Sequence, residues 1–421
     1  MRALALSERR AGGELAAELA VDTCGLVQRT HTAIADRVLG LTGTRRTPIG
    51  LLHNSISRLS YGSVELGLRA AGQLAGVAIG ASGRAAREPT PISETPAGAI
   101  GMAVVTGWGG DRLAAEGSPL AAGMSLRRDE RAVEVTLTGL RAAYPEASSR
   151  LAFFVHGLME SEHVWWLGTR RRDGTRAANY GEKLQADLGY TPVYVRYNSG
   201  LHVSENGREL ARLIERTVAA WPTEVREITI FGHSMGGLIA RSANHYAEVE
   251  GADYVDRVRH VICSGSPHHG SPLELFANWG AKTLGMLPES RGFQAMVDSR
   301  SAGVKDMRYG NVTDEDWQGH DPNELWRDRR KRIPMLASAN HYFISASLTR
   351  NPKNPISRVL GDILVTGPSA WAESLHNSGA RYDVDRSINI GGTTHFHLTS
   401  HPGIYQQVKR WLMPKQLPAQ T

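Results

Sequence analysis

An α/β fold, a mostly parallel sheet covered by helices on both faces, is what this sequence predicts, and three observations predict it. From about residue 121 onward, short apolar runs of strand length alternate with helical segments. Between one such run and a helix stands Gly232-His233-Ser234-Met235-Gly236, a Gly-x-Ser-x-Gly stretch. Hydrophobic residues make up 41% of the 421 and charged residues 21%, which supplies a core and excludes a wholly disordered or fibrous chain.

Taken in order, apolar positions recur near helical spacing over residues 15–39, and Gly40 stands where a helix would stop. A second helix is expected over about 56–79, with Gly72, Gly76 and Gly80 on one face that lets another helix approach closely. Residues 83–101 are rich in Pro, Ala and Gly without an apolar period and read as a linker. The expected division is an N-terminal helical extension and linker, 1–120, followed by a catalytic domain, 121–421. After Gly107-Trp108-Gly109-Gly110, residues 124–126 and 132–137 read as strands flanking a charged turn. Further strands are predicted at 151–155, 192–195, 228–231, 258–263, 342–345 and 387–390, with helices at 209–221 and 238–248. An insertion over 272–334 carries the apolar residues Leu273, Phe276, Trp279, Leu284 and Met286, and reads either as a lid or as a buried helix.

The charge balance excludes other classes. Lysine and arginine exceed acidic residues by 48 to 42, a net +6 too thinly spread to signal nucleic-acid binding. Two cysteines, Cys24 and Cys263, cannot build a disulfide framework, and no Cys/His spacing suggests zinc. The N-terminal run is interrupted by Ser7, Glu8, Arg9 and Arg10 before a secretory h-region forms, and the best apolar stretch, 70–81, is too short to span a bilayer. A soluble, cytoplasmic protein is expected.

Alone the Gly-x-Ser-x-Gly match is weak; its strand-to-helix setting raises it, because such a turn presents the serine in a strained, exposed pose. A nucleophilic serine also needs a base, an acid that orients it and donors for an oxyanion. His156-Gly157 ends the strand 151–155 and brings the Leu158 amide beside that of Met235, the residue after Ser234. His156, Gly157 and His233 are expected to contact substrate. Downstream, Asp362 offers a carboxylate and His395 an imidazole, in the chain order Ser, Asp, His. On spacing alone His397 and His401 compete with His395, and Asp383 and Asp385 with Asp362. No cofactor or metal is called for: in His268-His269 adjacent side chains diverge, and no carboxylate cluster accompanies them.

Residues 151–412 resemble the α/β-hydrolases of the bacterial lipase and GPI inositol-deacylase-like group. The resemblance rests on FVHGLMES (154–161), VRYNSGLHVSENG (195–207), FGHSMGGLIARSA (231–243), SGSPHHGSPLE (264–274), GDILVTGPSA (361–370) and HFHLTSHPGIY (395–405). It implies the α/β-hydrolase fold and a serine carboxylester hydrolase that works through an acyl-enzyme. Ser234 would be the nucleophile, His395 the base, Asp362 the acid, and the Leu158 and Met235 amides the oxyanion hole. The resemblance favours His395 over His401, since the histidine opening a His-x-x-Leu stretch ahead of the last helix is the base in such lipases. The departures are Ser264-Gly265-Ser266-Pro267-His268, where the group commonly shows Gly-Thr-Pro-His, and the N-terminal helices. The implied partner is a small-molecule or lipid ester. The basic run 327–332 reads first as solvated helix surface and second as a contact for anionic lipid headgroups; the oligomeric state is left open. Two alternatives use the same features: an acyltransferase with the same triad, and a catalytically silent hydrolase fold that binds a lipid or a partner protein.

Overall fold

The structure, a computed structural model, describes residues 2–41, 90–121, 123–170, 173–268, 270, 300–321, 331, 333–347 and 386–413. The expected helix 56–79 and the apolar segment 273–286 lie outside the described residues. The chain forms two compact units: residues 1–99, 113–121 and 275–300 in one, and 100–112, 122–274 and 301–421 in the other. No described helix is long and apolar enough to cross a membrane.

In the first unit, α1 (Arg2–Leu41) meets a short 3-10 turn at Ile92–Glu94, where the buried Glu8 carboxylate accepts from the Ser93 hydroxyl at 2.6 Å and the Ser93 amide at 3.0 Å. A helix then begins inside the stretch expected to be linker: α2 runs Pro96–Ala115. The small residues of 97–101 hide helical periodicity, but the start signals are present. Pro96 stands at the first helical position, and the Thr95 hydroxyl accepts the Gly98 amide at 3.2 Å.

The second unit holds the sheet. Strands β1 (Ser125–Arg128) and β2 (Arg131–Val133) form an antiparallel hairpin whose two turn residues, Asp129 and Glu130, have φ of 47° and 67°. The second strand stops at Val133 rather than at residue 137, because Thr136 caps α3 (Leu137–Ala143) by accepting the Gly139 amide at 3.1 Å. There follow β3 (Arg150–Val155), α4 (Tyr180–Leu188), β4 (Thr191–Arg196), α5 (Val203–Ala219), β5 (Glu227–His233), α6 (Met235–Glu250), β6 (Val258–Ser264), α7 (Ala302–Asp306), β7 (Asn340–Ser347), β8 (Ser387–Gly391) and α8 (Pro402–Leu412). The eight strands lie in the order β2-β1-β4-β3-β5-β6-β7-β8, with every pairing from β4 to β8 parallel. Side chains of β3 alternate between two cores. Leu151, Phe153 and Val155 join one cluster, and Ala152 and Phe154 the other, so both faces of the sheet are covered.

The polar stretch from Ser301 is largely buried, and several of its buried polar groups hold backbone amides and carbonyls of other segments. Asp306 accepts the Val203 amide and faces His202 Nδ1, both at 2.9 Å, closing the N-terminus of α5. Asp316 accepts the amides of Val312 and Thr313 at 2.8 Å. Ser301 binds the kinked part of α2: its hydroxyl donates to the Gly107 carbonyl at 2.6 Å and its amide to that of Trp108 at 2.8 Å. Gly109, at φ −141°, breaks the helix just there and frees those carbonyls.

The glycines around this kink are packing positions. A Cβ on Gly107 would fall 2.4 Å from Met159 Cγ, and one on Gly110 would fall 2.0 Å from Asn198 Oδ1. Asn198 has no room to yield, since its Nδ2 donates to the Gly110 carbonyl at 2.9 Å and its Oδ1 accepts the Gly200 amide at 3.0 Å. Gly110→Ala is therefore expected to destabilise the chain by about 1–3 kcal/mol through overpacking. Urea unfolding read by circular dichroism would show it, and an unchanged midpoint would rule the contact out as a constraint.

Candidate active site

Strand β5 ends at a turn whose backbone is unusual. Ser234 has φ 53° and ψ −123°, a conformation that costs an L-residue about 1–3 kcal/mol, and it begins α6 as the residue before Met235. Its amide donates to the Ser264 carbonyl at 2.8 Å, and its carbonyl accepts the Gly237 amide at 3.1 Å, so both sides of the strained residue are tied. The motif's glycines follow from the turn. A Cβ on Gly232 would meet the Gly236 backbone at 2.5 Å, and one on Gly236 would meet the Val155 carbonyl oxygen at 2.3 Å.

The loop after β3 lies directly against this turn: a Cβ on Gly157 would fall 2.8 Å from that of Ser234. Two of the loop's amides are tethered. Gly157 N–H donates to Glu160 Oε2 at 2.7 Å, and Met159 N–H to Ser199 Oγ at 3.1 Å, with Met159 itself at φ 58°. Between them, the Leu158 amide has no acceptor among the described residues, and neither has that of Met235 at the first position of α6. Helix N-termini favour negative charge, and Met235 stands at that of α6.

His395 opens a 3-10 turn, His395–Thr399, and is 2% exposed. Its ring lies on Gly265, where a Cβ would come within 2.9 Å of Cε1 and 3.1 Å of Nδ1; Gly265 also has φ 66°. The neighbours Ser264 and Gly265 thus hold both the Ser234 amide and the His395 imidazole. His397 and His401 are engaged locally: His397 Nδ1 lies 2.8 Å from Thr394 Oγ1, and His401 Nδ1 accepts the Gly403 amide at 3.2 Å to cap α8. Asp362, Asp383 and Asp385 lie outside the described residues.

His156 and His233, expected to contact substrate, are both 0% exposed, and their ring nitrogens face protein groups. The His156 ring stacks on Tyr197, centroids 4.1 Å apart, with Nδ1 2.9 Å from the Gly157 carbonyl and Nε2 accepting the Tyr197 amide at 3.4 Å. Burial holds its pKa down, at about 4, against the opposing pull of that carbonyl. His233 Nδ1 lies 2.9 Å from Glu160 Oε2, and its ring centroid 4.9 Å from that of His395. Burial alone would raise the Glu160 carboxyl, but the His233 ring and the Gly157 amide hold it below the usual carboxylate range.

Glu160, Gly265 and Tyr197 were not legible as site residues; the only signal for Glu160 was its place within FVHGLMES. Cys263 is no rival nucleophile, since burial pushes its thiol up to about 12. Among the described residues no group of three or more His, Cys, Asp or Glu could hold a metal ion, and His268 packs buried against the Phe343 ring.

Comparison with known proteins bears on residues 173–281, which match the PGAP1-like alpha/beta domain family. No curated protein matches the chain by sequence. Among solved structures it is similar to the mature lipase of Bacillus licheniformis, at 19% identity over 59% of this chain and 85% of that one, TM-score 0.38. It is also similar to a lipase-esterase related protein from Clostridium acetobutylicum, at 16% identity over 63% and 96%, TM-score 0.33. A hyperthermophilic esterase from Pyrobaculum calidifontis matches at 13% identity over 63% and 74%, TM-score 0.35. The parallel sheet flanked by helices and the strand-to-helix turn at Ser234, which the family match spans, give the chain an α/β-hydrolase fold.

Proposed function

We propose that this protein is a serine carboxylester hydrolase. The observation that carries the reading is Ser234, held at φ 53° and ψ −123° on a strand-to-helix turn; the Leu158 and Met235 amides are assigned the oxyanion hole and His395 the base. Ser234 Oγ attacks the ester carbonyl while His395 takes its proton; the tetrahedral oxyanion accepts from the two amides, which need no reorganisation to meet it. His395 then protonates the leaving alcohol, and water, deprotonated by the same imidazole, cleaves the acyl-enzyme. Asp362 is assigned the acid that orients His395. The substrate is a small-molecule or lipid ester, and the Phe396 ring, 49% exposed beside His395, suits an alkyl or acyl group.

A p-nitrophenyl ester series from acetate to palmitate tests this, together with a fluorophosphonate probe mapped by mass spectrometry. Hydrolysis with the adduct on Ser234 is the expected result, and the chain-length optimum separates esterase from lipase. No turnover of any ester, with no adduct on Ser234, would refute the reading.

A further inference from the structure

We propose that Glu160 and His233 form a carboxylate–imidazolium pair, its imidazole fully buried, that fixes the oxyanion loop against the backbone of the base, which makes Glu160 a positioning residue. The kinetic part of this rests on the esterase reading; the protonation state does not.

Hydrogen-bond accounting leads to the charge state. Glu160 Oε2 accepts the Gly157 amide at 2.7 Å and faces His233 Nδ1 at 2.9 Å, so Nδ1 carries a hydrogen. The other ring nitrogen, Nε2, lies 3.3 Å from the His395 carbonyl oxygen, which can only accept, so it carries a hydrogen too. A ring with both nitrogens donating is an imidazolium. His156, at the other end of the same loop, is the opposite case: Nδ1 faces a carbonyl and Nε2 faces an amide N–H, which satisfies a neutral ring. Two histidines 0% exposed are thus held in different charge states by what faces them, and of the two His233 has a carboxylate directly on a ring nitrogen.

The pair joins three segments that meet nowhere else in sequence. Glu160 reaches back to the Gly157 amide, which fixes one end of the Gly157–Met159 loop while Ser199 Oγ fixes the other, leaving the Leu158 amide between two tethers. His233 is the residue before Ser234, and its far nitrogen touches the carbonyl of His395 itself. Edge-on contact with the Trp165 ring, 6.3 Å between centroids, closes another side of the imidazole. A neutral side chain at 160 retains the volume but cannot balance a buried imidazolium, so the ring loses a proton and one of its two tethers.

Glu160→Gln tests this with two readouts. With histidine ring nitrogens labelled by 15N and the His233 signals assigned by their absence in His233→Gln, NMR of the wild type at neutral pH is expected to show both His233 nitrogens protonated, and the spectrum of Glu160→Gln only one. In ester kinetics Glu160→Gln is expected to lower kcat about 10- to 100-fold with KM within about twofold, since misplacing a transition-state donor costs turnover rather than binding. A neutral His233 in the wild type overturns the pair whether or not any ester is hydrolysed. Wild-type kcat in a folded Glu160→Gln, or a loss confined to KM, overturns the positioning role. If the wild type hydrolyses no ester, it is the esterase reading that fails, and the NMR result still decides the pair.

Discussion

Ser234→Ala is expected to lower kcat/KM for p-nitrophenyl esters by about 10⁴- to 10⁶-fold while leaving the fold intact. A nucleophile and its base act as a unit, so removing either leaves only the positioning and oxyanion contributions. The backbone gives this a second, independent readout. At φ 53° and ψ −123° any side chain is strained, and alanine retains the strain because it retains Cβ. Ser234→Gly removes it. The glycine variant is expected to be equally inactive yet more stable than Ser234→Ala by about 1 kcal/mol, seen as a higher urea midpoint. A strained residue that improves stability when relaxed and abolishes turnover in the same step is one whose conformation is kept for chemistry. Substantial esterase activity in Ser234→Ala would place the nucleophile elsewhere, and an unstabilised Ser234→Gly would show that the turn is not strained.

The sheet was readable because parallel strands covered on both faces appear as plain apolar runs. The runs expected at 151–155, 228–231 and 258–263 are the centres of β3, β5 and β6, extended by a few residues at their ends. The turn at Ser234 was readable because its glycines answer to backbone approaches of 2.5 Å or less, which fix the spacing locally. What escaped were the elements defined by distant partners. α2 carries too few large side chains to show a period, and its glycines make sense only once Asn198 and Met159 lie against them. Asp306 sits in a polar stretch whose burial is set by a distant partner, the N-terminus of α5 that it closes. Glu160 is one charged residue in a loop, and nothing local marks it as the group facing the Gly157 amide and His233 together. His156 and His233 each adjoin a glycine at a turn, and nothing local announces that packing buries both.

The burial of His156 sets the second large expectation, a loss of stability in mild acid. The His156 pKa is about 4, lowered by burial, against an ordinary value of 6.5. Above pH 6.5 both the folded and unfolded forms are neutral, so the residue carries no penalty and its contribution is fully present. Between pH 6.5 and 4 the unfolded chain binds the proton and the folded one resists it, so stability falls across that window, by about 3 kcal/mol once pH 4 is passed. His341 acts in the same direction, its burial outweighing the Leu336 carbonyl that faces its Nε2 at 3.0 Å. Glu160, held below the usual carboxylate range, adds a contribution in the same direction that is lost as pH falls through its lowered pKa. Urea unfolding at pH 7.5 and 4.5 should give a clearly lower midpoint in acid, and His156→Gln should have the smaller drop of the two proteins. The structural reason is specific: a proton on Nε2 would meet the Tyr197 amide, the donor that nitrogen now accepts, with no acceptor in its place. Because the same ring holds the Gly157 carbonyl through Nδ1, acid that forces this proton on should disturb the oxyanion loop before the sheet. Equal midpoint drops in wild type and His156→Gln would refute the assignment.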